Sequence, residues 1–212
     1  MQQKVVNSAR TVHIDTHAAA TLRYIRSSME AAASLAVPGS AGVAMGIVGL
    51  LASVISSTPN WHQHWLGIWL AAAVVAAGLG GTLMTRQSSL RGLTFAGTPL
   101  RKFALCLLPA LFGGAVMTAV HWSYGNLHAI PGTWLLFYGC ALHSAGFFMT
   151  RGIKWLGWIF ISGAALFVLL AYAMQWRDGP LSPHWIMGVF FGGLQLVYGV
   201  YLYFTEKKNP AA

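Results

Sequence analysis

Histidine is the residue type whose positions in this chain invite chemistry. Eight histidines occur among 212 residues. His62, His64, His121, His128 and His184 fall beyond one end of the apolar stretches described below, His13 and His17 beyond the other, and His143 inside a stretch. Imidazoles gathered on one face can hold zinc or copper, or respond to external pH. His62-x-His64 is a weak motif by itself, and only Asp178 stands near enough in the pattern to supply a carboxylate. The same five residues read equally well as polar groups at helix ends. A haem needs two ligands at one depth. His143 lies about 18 Å in from the outer end, at 1.5 Å per residue, and His121 lies at that end, so the two do not bracket one iron. No cofactor is expected on this reading, with metal or haem on the outer histidines as its variant.

Other chemistries lack their residues. The chain has 4 Asp+Glu, which removes paired-carboxylate acid–base catalysis. There is no HExxH, no Walker A sequence, and no Gly-x-Ser-Gly beside a partnering histidine. The expectation is a protein that is not an enzyme.

The elements that position the histidines are apolar. Hydrophobic residues make up 56% of the chain and charged residues 8%, with mean hydropathy +0.60. That excludes a disordered chain, a disulfide scaffold and a soluble enzyme. A membrane-crossing helix takes about 20 apolar residues. Six such stretches fall at 37–57, 64–85, 103–121, 132–150, 154–174 and 185–204, punctuated by Asn60-Trp61-His62-Gln63, Ile130-Pro131-Gly132, Gly179-Pro180 and Ser182-Pro183. The fold class expected is an all-α integral membrane protein, a six-helix bundle (36–205) between a cytoplasmic N-terminal segment (1–35) and a short cytoplasmic tail (206–212). No signal peptide is read at the start.

Of 13 Lys+Arg, all but Arg177 fall before the first stretch, after the last, or at alternate connections, with Lys154 at the very start of the fifth stretch. The positive-inside rule then puts both termini in the cytoplasm, in a bacterial inner membrane. The cations serve topology and lipid contact, so no nucleic-acid partner is expected. Within 1–35, Asp15-Thr16 can cap a helix whose apolar stripe is Leu22, Ile25 and Met29, with Arg23 and Arg26 off it. That stripe either docks a partner or fixes the entry of the first span.

Counting inward from the helix ends predicts a midplane layer. His143, Gln195 and Ser162 come to similar depth, near Pro109 and Gly46. Intramembrane polar groups mark functional sites or hydrogen-bond one another as packing, and both readings stay open. Small residues recur at helical spacing: Gly42 and Gly46, extended by Gly49; Ala73, Ala77 and Gly81; Gly188 and Gly192. These predict close helix approach within the bundle. Trp61, Trp65, Trp122, Trp134, Trp176 and Trp185 form an interfacial belt. Tyr138-Gly139 and Tyr198-Gly199 echo each other without making a repeat.

The stretches RYIRSSMEAAASLAVPGSAGVAMG (23–46) and IPGTWLLFYGCALHSAG (130–146) resemble a bacterial family of small polytopic membrane proteins with no established activity. The resemblance implies the six-span fold and transfers no site residue. Six spans in about 200 residues also resembles the substrate-binding components of energy-coupling-factor vitamin transporters. The first functional expectation is therefore a non-enzymatic membrane component, an accessory subunit, scaffold or sensor acting through a protein partner or a second copy. A small-solute transporter or substrate-binding subunit using the midplane layer is the alternative, and a metal or haem redox protein comes third.

Overall fold

The computed structural model describes residues 21–22, 38–90, 99–147, 151–173 and 183–208. Among these residues all regular structure is helical. Helix α1 spans Gly39–Ser57, α2 Trp65–Leu90, α3 Pro99–Ser123, α4 Ile130–Ala145 and α5 Arg151–Ala173. The last column is composite: α6 (Pro183–Met187), a π-helical segment (Gly188–Leu194) and α7 (Gln195–Lys208). Each expected stretch thus holds a helical column. Pro99 and Pro183 open theirs, where a missing backbone N–H has no intrahelical partner to lose.

Among the described residues, five of the six columns are long and apolar enough to cross a membrane. The exception is α4, with 16 residues, or about 24 Å against a hydrocarbon thickness of about 30 Å. The sequence predicts it over 132–150. It starts earlier, with Pro131 in its first turn, and stops at Ala145, where the Gly146 N–H bonds back to the Leu142 and Ser144 carbonyls.

The first and last columns run antiparallel, as do α4 and α5, and both pairs are drawn together by glycine. Along α1 and the last column, Gly39 faces Tyr203, Gly42 faces Gly199, Gly46 faces Leu196, and Gly49 faces Phe191. A Cβ at Gly42 would lie 2.7 Å from the Gly199 Cα, and one at Gly46 2.5 Å from the Leu196 N. Along α4 and α5, a Cβ at Gly139 would stand 2.9 Å from the Gly157 carbonyl oxygen, and one at Gly157 2.7 Å from the His143 N. Backbones this close gain dispersion contact along the whole crossing, which in lipid is a main source of helix affinity. The Gly42, Gly46 and Gly49 ridge and the Gly188 and Gly192 pair are therefore used inside the bundle.

The ridge on α2 is not. α2 packs on α1, and α3 packs on α4, but α2 and α3 do not pack on each other along their length. Ala73, Ala77 and Gly81 are exposed, and nothing lies within 4 Å of where a Gly81 Cβ would be. Of the apolar windows, α2 is 17% and α3 11% buried, against 44% for α1. Leu22 is exposed, and Ile25 and Met29 lie outside the described residues.

Candidate functional site

Three glycines inside Gly188–Leu194 weaken ordinary helix propensity, and the segment widens to π geometry. The wider turn sends two consecutive rings into the protein. Phe190 meets Phe160 at 5.5 Å between centroids, and Phe191 meets Tyr138 at 5.1 Å and Trp69 at 6.3 Å. Gln195 follows directly. Its side chain is 5% exposed and its amide donates a hydrogen bond to the Tyr138 hydroxyl. The Tyr138 ring is held between Phe191 and Phe160, the latter at 5.0 Å.

The partner of Gln195 is thus Tyr138, five residues away on the same helix from the His143 that end-counting sets opposite it. The count assumes that helix ends are flush. Instead the last column begins about one turn further out than α4. Ile130 shares a core cluster with Met187, and Tyr138 pairs with Gln195, each pair 57 residues apart. His143 falls in the last turn of α4. Its ring stands edge-on to Trp158 at 5.3 Å and Phe147 at 5.5 Å, and its buried Nδ1 has no hydrogen-bond partner among the described residues. Ser162 is exposed on α5. The structure brings neither into contact with Gln195. A sequence signal for Tyr138 did exist in the Tyr-Gly echo. Gly139 and Gly199 each lie in a glycine crossing, while Tyr138 and Tyr198, one position earlier, both line the same cavity.

That cavity, about 1380 Å³, fills the space between α2 and α3. Its α2 wall is small side chains, among them Ala73, Ala77 and Gly81. The facing wall is built from Leu107, Phe137, Tyr138, Phe191, Gln195 and Tyr198, among others. Among the described residues no Asp, Glu, Lys or Arg lines it. Pockets for drug-sized molecules run to about 1,000 Å³ and are mostly apolar with a few placed polar groups. This one is larger and has the same character, with Gln195 and Tyr138 on its wall.

The outer histidines part company. His184, 2% exposed, has its Nε2 3.0 Å from the His62 Nδ1, and its carbonyl accepts from the Ser53 hydroxyl at 2.8 Å. This tie joins α1, the turn before α2, and α6. His121 Nε2 lies 3.1 Å from the Thr133 hydroxyl, while His64 stands edge-on to Trp61 and His128 is exposed. Among the described residues no three of His, Cys, Asp or Glu converge on a metal-sized site. The Trp belt divides as well. Trp61, Trp122 and Trp185 are exposed, whereas Trp65 is buried against His184, and the Trp134 indole N–H donates to Thr118 at 2.7 Å. Trp176 lies outside the described residues.

No family model, no curated protein and no solved structure matches this chain.

Proposed function

We propose that this protein is a non-enzymatic component of a bacterial inner membrane, with both termini cytoplasmic, that binds a small hydrophobic molecule between its helices. The observation that carries the reading is the cavity between α2 and α3, with a hydrogen-bonded amide and phenol on an otherwise apolar wall. Buried polar pairs in a bundle this apolar are costly unless satisfied, and those on a cavity wall are available to a ligand. Antiparallel packing supports the topology, because an even number of columns returns the cations at the α2 end, the α3 and α5 starts and the α7 end to one side. The alternative of a substrate-binding transport subunit shares this site, with Gln195 kept from the expected midplane layer and Tyr138 added.

A binding assay tests the reading. Radiolabelled n-heptadecane is expected to saturate the detergent-purified protein. Ala77→Trp, which fills the cavity, is expected to abolish that binding, and Val74→Trp, on the same helix but outside the cavity lining, to leave it intact. Absence of saturable binding by the wild type contradicts the reading.

A second reading has its own observation. The exposed Ala73, Ala77 and Gly81 ridge is the surface that membrane helices use to associate. A partner helix seated there makes the protein an accessory subunit or scaffold. Cross-links from Ala77→Cys to another protein, with no ligand binding, favour it.

A further inference from the structure

We infer that the α2–α3 cavity takes a neutral lipophile carrying a hydrogen-bond-accepting carbonyl, a ketone, quinone or ester, with that carbonyl held by Tyr138 and Gln195. This deepens the ligand-binding reading above and rests on it.

Charge comes first. Among the described residues no Asp, Glu, Lys or Arg lines the cavity. An ionic group placed at the depth of Gln195 has no countercharge in a low-dielectric setting, so the buried part of the ligand is neutral.

Hydrogen-bond bookkeeping then bears on the sense of recognition. A glutamine amide and a tyrosine hydroxyl together carry three polar hydrogens. The Gln195–Tyr138 bond consumes one of them, and neither side chain has another hydrogen-bond partner among the described residues. The count is the same whichever way round the amide is placed. Two donors are left on side chains that line the cavity, beside unused acceptor capacity on the Gln195 carbonyl oxygen; an unmet buried donor is the rarer and costlier orphan, so the group this wall calls for is an acceptor.

Shape and depth exclude an ordinary phospholipid head. Along α2 the cavity reaches from His64 to Thr85, about 30 Å of helix and close to the hydrocarbon thickness. Gln195 lies about 18 Å from the start of its column at Pro183, near the middle. Phospholipid carbonyls and head groups sit at the interface and do not reach it. A small-residue wall on α2 facing Phe137, Phe191 and the two tyrosines forms a slot suited to a chain or flat ring. Because α2 and α3 do not pack together, the slot is reached sideways from the bilayer.

The test compares radiolabelled n-heptadecane with 2-heptadecanone, equal in chain length and differing by one carbonyl, on the full-length protein in detergent. The wild type is expected to bind both, the ketone about tenfold more tightly, the scale that one or two net hydrogen bonds supply. Tyr138→Phe and Gln195→Leu are each expected to bring the ketone and alkane affinities to within about twofold of each other, removing the ketone's advantage. If neither variant folds, the infrared carbonyl band of ¹³C-labelled ketone on the wild type decides, and a shift to lower frequency than in detergent alone is expected. Equal affinity for ketone and alkane, or an unshifted band, overturns the carbonyl inference and leaves the hydrophobic-ligand reading standing. Binding of neither molecule, or a second copy cross-linked through Ala77→Cys in their place, overturns both.

Discussion

Small residues line two regions of this molecule with opposite outcomes. Along α1 and α7, Gly42, Gly46 and Gly199 bring backbones into contact, and a Cβ at any of them would strike main-chain atoms. Along α2, Ala73, Ala77 and Gly81 follow the same four-residue spacing and meet open space. Spacing alone therefore creates the capacity for close approach, and a facing helix must realise it. In the first region glycine faces glycine or bare backbone. In the second, α3 offers Leu107, Leu111 and Phe103 across the cavity, and Pro109 interrupts its hydrogen-bond ladder. The packed region holds the bundle together, and the unpacked one is where the proposed ligand would sit.

The sharpest contrast comes from enlarging the small residues. Gly46→Leu is expected to cost more than about 3 kcal/mol or prevent folding, because the obstruction is the Leu196 backbone rather than a movable side chain. Gly81→Leu is expected to stay within about 0.5 kcal/mol. Thermal unfolding monitored by size-exclusion fluorescence measures both, and equal losses would erase the distinction. Gly157→Ala, in the second glycine crossing, is expected to cost about 1–3 kcal/mol, since its Cβ would meet the His143 N and the Gly139 carbonyl oxygen.

The polar groups sharpen the comparison further. Tyr138→Phe strands the Gln195 amide and is expected to destabilise by about 1–3 kcal/mol. Adding Gln195→Leu should recover most of that, because removing both members of a buried pair leaves no orphan. A double variant no more stable than the single would show the two residues acting independently. His62→Ala removes the 3.0 Å tie to His184 at the outer end and is expected to cost about 0.5–1.5 kcal/mol. Chemical denaturation in mixed micelles resolves a change of that size.

Much of this architecture was legible from the sequence. Continuous apolar runs and proline punctuation located six columns to within a few residues at most ends, since those signals are local. The exceptions had non-local causes. Helix α4 ends at Ala145, short of the apolar run, at a turn closed by Gly146. The Gln195 partner was misjudged because depth was counted from helix ends that are not flush. The π-helical segment, which aims Phe190 and Phe191 inward, has no periodicity signal beyond its glycines. The histidines looked equivalent by position, yet among the described residues only His62 and His184 meet, because the turn before α2 folds back over α6. The split between the filled α1 ridge and the empty α2 ridge depends on what stands opposite, which a single helix's sequence does not contain.

The most direct test of the central claim is native mass spectrometry of the protein released from mild detergent after purification from its own membrane, alongside Ala77→Trp. A wild type carrying one neutral lipophilic adduct per chain, absent from Ala77→Trp and retained by Val74→Trp, is the predicted result. A bare wild-type mass, or an adduct that survives Ala77→Trp unchanged, would contradict a ligand site between α2 and α3.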